Sequence, residues 1–109
     1  SRKLILKGVD GLVFVADSQR ERFEANLESL DDMLDNLQEY RIDFNSLPYV
    51  LQLNKRDLPN VTPANELIAA LRKREEPVME AVSISGEGVV ETLKAISRLI
   101  MMDMKRKLK

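Results

Sequence analysis

Cysteine and histidine are both missing from the 109 residues. Without cysteine there is no disulfide and no thiolate metal site. Without histidine the usual neutral-pH base and the commonest transition-metal ligand are gone. Glycine is scarce, limited to Gly8, Gly11, Gly86 and Gly88, and none precedes a Lys-Ser or Lys-Thr pair. The chain therefore contains no glycine-rich phosphate loop of the Gly-x-x-x-x-Gly-Lys-Ser/Thr kind. No apolar run approaches the roughly 20 residues of a membrane span, which argues against an integral membrane contact. The opening residues, SRKLILKGVDG, lack a full signal-peptide pattern, and the expected location is the cytoplasm. An excess of one charge is lacking too: 17 basic and 18 acidic residues leave a formal charge of -1, so the total does not call for a nucleic-acid partner. The first residue is Ser rather than Met, and the expectation is a fragment or a processed product.

What is present is ordinary for a globular chain, with 44% apolar and 32% charged residues. The length suits one domain with a modest core. Residues 11–17, GLVFVAD, form an almost unbroken apolar run ending in Asp. Polar residues do not alternate with apolar ones, which predicts a parallel strand buried on both faces. Ser18 and Glu21 have the spacing of a capping box. Phe23, Leu27, Leu30, Leu34 and Leu37 then recur at intervals of three and four, predicting a helix over 19–40. Its other faces carry Glu24, Glu28, Asp31, Asp32, Asp35 and Glu39, read as solvated.

A second strand is predicted at 48–53, PYVLQL, and a short third at 77–82. Between them Thr62 and Pro63 read as the cap and first residue of a helix whose apolar side is Leu67, Ile68 and Leu71. Val89, Val90, Leu93, Ile96, Leu99 and Ile100 define the apolar side of a last helix, with Met101, Met102 and Met104 extending it. Lys105, Arg106, Lys107 and Lys109 read as a frayed, solvated terminus. Strands alternating with helices predict an α/β fold, a parallel sheet of three strands with crossover helices. The first strand has no charge, Pro or bulge to protect an edge. The expectation is that residues 1–109 are the C-terminal portion of a larger doubly wound domain, with 1–7 the tail of a preceding helix.

Ligands of such sheets sit beyond the carboxyl ends of the strands. Three loops reach that edge: Asp17–Arg20, Asn54–Pro59 and Ser83–Gly88. The middle one is NKRDLP. An Asp such as Asp57 can accept two parallel hydrogen bonds from a planar donor pair, and guanine offers one at its ring N–H and exocyclic amine. Adenine offers no such pair. Charge-assisted bonds of this kind contribute about 1.5–3 kcal/mol each, and a polar site left unpaired rejects an analogue by factors of roughly 10⁴. Lys55 has an apolar stem long enough to lie over a purine, and Asn54 can tie the loop to its neighbours. Arg56 is read as pointing away into solvent, and Asp17 as a plain strand end or helix cap.

GVDGLVFVADS at 8–18, NKRDLP at 54–59 and PVMEAVSISGEGVVETL at 77–93 together resemble the small Ras-like GTPases, and within them the bacterial MglA group of gliding-motility and cell-polarity GTPases. The resemblance covers essentially the whole chain but only the C-terminal part of the family domain. It implies a three-layer, P-loop NTPase-like fold and a site for GTP or GDP. By resemblance Asp57 receives the guanine N–H and amine, Lys55 packs along the base, Asn54 braces the loop, and the Ser83 backbone N–H donates to the guanine carbonyl. Val82 and Ile84 depart from the Ser and Lys frequent in the family. Magnesium would be held only by the missing N-terminal part, and no catalytic or metal-binding residue is assigned here. The resemblance also implies a roadblock-type activator as partner. The parent would be a GTPase, whereas these 109 residues alone would not hydrolyse GTP and are expected to self-associate or to pair with the missing N-terminal part. The rival reading is a non-catalytic interaction module with a degenerate GTPase fold.

Overall fold

Apolar runs and amphipathic stretches take the order β1 (Leu12–Asp17), α1 (Phe23–Glu39), β2 (Tyr49–Asn54), α2 (Ala64–Leu71), β3 (Val78–Glu80) and α3 (Val89–Lys107) in a computed structural model that describes residues 10–108. The helix tail expected over 1–7 lies outside the described residues. The strands form one parallel sheet in the order β1-β2-β3, with Leu12 opposite Tyr49, Asp17 opposite Asn54 and Leu51 opposite Val78. The α/β class and the three-strand parallel sheet are as the sequence predicts.

β2 is the central strand and is buried from Tyr49 to Leu53, as a strand covered on both faces must be. Its alternation sorts the layers. Tyr49, Leu51 and Leu53 join Phe14 and Ala16 of β1 in a core with Leu30, Met33 and Leu37 of α1 and Leu67 and Leu71 of α2. Gln52 faces the other way: its Nε2 donates to Thr92 Oγ1 of α3 at 2.9 Å, and that hydroxyl donates to the Gly88 carbonyl at 2.8 Å. α1 and α2 thus cover one face and α3 the other. Burying a leucine contributes about 1.5–3 kcal/mol, so Leu30, Leu37, Leu51, Leu53, Leu67 and Leu71, none more than 1% exposed, supply a large part of the apolar driving force.

Four local expectations are corrected. Ser18 does not cap α1: its N–H donates to Asn54 O and its carbonyl accepts from Thr62 N–H, so it prolongs the strand. A 3₁₀ turn at Arg20–Arg22 then leads into the helix. Thr62 does not cap α2, because Pro63 occupies the cap position and the Thr62 hydroxyl is buried without a partner. β3 is three residues long rather than spanning 77–82, although Ala81 N–H still donates to Leu53 O. On α3 the buried residues are Thr92, Ile96 and Asp103, while Val90, Leu93, Met101, Met102 and Met104 are exposed. The face that meets the sheet is therefore partly polar, and the methionines do not pack on it.

Candidate functional site

The carboxyl ends of β1, β2 and β3 bring the three loops together, and backbone bonds pin the first two. Ser18 N–H donates to Asn54 O, Thr62 N–H to Ser18 O and Arg20 N–H to Asn60 O, at 3.1, 2.8 and 3.0 Å. The segment 54–62 is thus held along 18–20 at both ends.

Asn54, the last residue of β2, links this pair to the third loop. Its Oδ1 accepts from Lys55 N–H at 2.8 Å and from Ser83 N–H at 3.1 Å, and its Nδ2 donates to Ser83 Oγ at 3.1 Å. One side chain and one carbonyl therefore join all three loops. The structure brings Ser83 to Asn54, but through the same backbone N–H that the resemblance assigns to a guanine carbonyl. That N–H is engaged here by Asn54 Oδ1.

Lys55 adopts a left-handed backbone with φ of 62°, unusual for a long side chain. Its Nζ lies 3.0 Å from Asp17 Oδ2, across the ends of β1 and β2. Asp17 is thus more than a solvated strand end. Its Oδ1 accepts from Gln19 N–H and Gln19 Nε2, and its Oδ2 accepts from Gln19 Nε2 as well. Burial pushes the Asp17 carboxyl upward, but the bonds from Gln19 and the Lys55 ammonium outweigh it and hold the group below the usual carboxylate range.

Asp57 is exposed. Ion pairs among the described residues use Asp17, Glu80 and Asp103, so the Asp57 carboxylate stands unengaged at the loop surface. Arg56 does not point into solvent. Its side chain donates to Glu80 Oε1 at 3.0 Å and to Thr62 O at 2.7 Å, and its N–H donates to Ala81 O. It ties the loop to β3 and to the start of α2, turned away from Asp57.

The sequence reading missed Asn26. This α1 residue is 7% exposed; its Oδ1 accepts from Asp17 N–H at 3.1 Å and its Nδ2 donates to Asp17 O at 2.7 Å. An Asn three residues after Phe23 and four before Leu30 lies on the apolar stripe, and that placement is the signal that could have found it.

The largest cavity described, about 580 Å³, is not part of this cluster. It lies at the amino ends of β2 and β3, where Leu47, Pro48, Tyr49, Glu76, Leu99 and Asp103 are among its lining. Burial, with the Glu76 carboxylate, pushes the Tyr49 phenol far above its ordinary value. The polar groups that converge at the carboxyl edge mark the better candidate, because a ligand is selected by placed donors and acceptors rather than by volume. Among the described residues no group of acidic side chains could hold a metal ion, and no helix is long and apolar enough to cross a membrane.

A family profile described as the ADP-ribosylation factor family matches residues 3–100. The chain is 55% identical over 106 residues, 97% of its length, to a Myxococcus xanthus (strain DK1622) protein named Mutual gliding-motility protein MglA. The match covers 54% of that protein, so the chain spans about half the length of the curated relative.

Proposed function

The chain belongs to the ADP-ribosylation factor family, and from that membership we propose that it is the base-reading portion of a guanine-nucleotide switch. The observation that carries the reading is the joining of three loops by Asn54, which leaves Asp57 exposed and unengaged beside it. A free carboxylate on a braced loop fits the two parallel donors of guanine. The Lys55 stem supplies an apolar surface next to it. The nucleotide is GDP or GTP; its phosphates and Mg²⁺ would fall to residues outside these 109, which hold no Gly-x-x-x-x-Gly-Lys-Ser/Thr phosphate loop. GTP hydrolysis to GDP belongs to the whole protein, and no residue here is given a catalytic role.

The name of the Myxococcus relative supports a place in gliding motility; a role in cell polarity and a cytoplasmic location follow only from the family resemblance. Family resemblance supports a roadblock-type activator as partner. The missing N-terminal part would complete the pocket and cover the open side of the sheet.

The test is a titration of GDP and ADP against the full-length protein. GDP should bind far more tightly, and equal affinities would sink the guanine assignment. Asp57→Asn should weaken GDP by about 10²-fold or more, the loss expected when two charge-assisted hydrogen bonds of about 1.5–3 kcal/mol each are disrupted. The same variant should gain affinity for XDP, since xanthine has a carbonyl where guanine has its amine and an amide can donate to it. Unchanged GDP affinity would mean that Asp57 does not read the base.

A further inference from the structure

We propose that Asp17 is a positioning residue of the base-reading site: it fixes the Lys55 ammonium so that the lysine stem is held as one wall of the pocket. The proposal rests on reading 54–57 as a guanine loop.

The carboxylate is anchored before it meets the lysine. Gln19 donates to it from its backbone and from its side-chain amide, at 3.0–3.1 Å. The Asp17 backbone is clamped on both sides by the buried amide of Asn26. Lys55 is instead a flexible side chain, 46% exposed, on a loop. The fixed partner therefore sets the position of the mobile one. The contact joins the end of β1 to the loop after β2, so it also fixes where the lysine stem leaves the left-handed turn at 55. Arg22, the other cation facing the carboxylate, stands farther off, at 4.0 Å.

Energy separates positioning from stability. A partly exposed ion pair contributes little to folding, because solvent screens it. A chain of contacts running from buried Asn26 through Asp17 to an exposed lysine is poorly explained as a stabilising device. It is well explained as a way to aim Lys55. A capping Asp would also need no cation from another strand end.

The experiment is release of a fluorescent GDP analogue from full-length protein, chased with excess GDP. Asp17→Asn, Lys55→Met and the double variant are compared, with melting temperature followed alongside. Asp17→Asn should speed release about two- to fivefold, the effect of losing one exposed ion pair, with little change in melting. In the Lys55→Met background the same change should add nothing, and Asp17→Glu should restore part of the loss in the single variant. Unchanged release in Asp17→Asn, or effects that multiply in the double variant, would overturn the proposal. If Asp17→Asn does not fold, the salt dependence of release decides: it should be steeper for wild type than for Lys55→Met, and equal slopes overturn the idea. A wild-type protein with no preference for GDP over ADP removes the base reading and this proposal together. A preference that Asp57→Asn abolishes while Asp17→Asn changes nothing removes this proposal alone.

Discussion

Arg56 stands between the two residues proposed to meet a base and turns its back on them, bonded to Glu80 and to the Thr62 carbonyl. Its neighbours Asn54, Lys55 and Asp57 are legible in sequence because four polar residues follow an apolar run without a break. Arg56 is not, because its partners lie in β3 and before α2. Asp17 and Asn26 are opaque for the same reason: their hydrogen bonds join positions nine residues apart, and Lys55 joins Asp17 across 38. Asp17 also gives the acid limb of stability a definite sign. Its folded carboxyl ionises more readily than the ordinary value, with Lys55 and Arg22 the cations facing it. A depressed folded pKa contributes stability that is present above about pH 4 and lost as pH falls through the lower folded value. Asp17→Asn should therefore flatten only slightly the loss of melting temperature as pH falls below about 4, in keeping with the small change in melting expected of it at neutral pH. A limb identical to wild type would show that Asp17 titrates alike in the folded and unfolded chain.

Element boundaries depend on a few backbone positions that no periodicity reveals. Gly88 precedes α3 with φ of 79°, and a Cβ there would lie 2.0 Å from the Glu80 carbonyl oxygen. The strand end and the helix start approach so closely that only glycine fits. Gly88→Ala should cost at least about 2 kcal/mol, from left-handed strain plus the clash. Urea denaturation measures it, and a loss under half that size would mean that the turn relaxes freely. The order of elements was legible because three apolar runs alternate with two clear amphipathic stretches. The rotation of α3 was not. Its apolar residues occupy more than one face, and spacing alone does not choose among them; the bond from Gln52 to Thr92 does. Capping misled for a related reason, since Ser18 and Thr62 have the right chemistry but their backbones pair with each other.

For the whole molecule the informative feature is what the three strands leave uncovered. Among the described residues β1 pairs only with β2. Val15 is 52% exposed, and Val90, Leu93, Met101 and Met104 are exposed on α3. An unprotected edge beside apolar surface is a template for another chain. These 109 residues by themselves should self-associate through β1, or order fully only with the remainder of the protein. Light scattering over a dilution series, with hydrogen exchange of 12–16, checks this. A cooperatively folded monomer at about micromolar concentration, with β1 amides exchanging freely at the edge, would show that the sheet needs no cover.

The parallel register has a consequence in time. Leu12 pairs with Tyr49, and the whole of α1 lies between them. At about 5–20 residues per second, a ribosome makes β1 some seconds before its ladder partner exists. A helix of this length forms within about a microsecond. α1, whose Leu30 and Leu37 end against β1 and β2, is therefore complete while β2 is still unmade. During that interval α1 is the shelter that the described residues made so far offer the apolar strand, and the acidic outer face of that helix is turned to solvent.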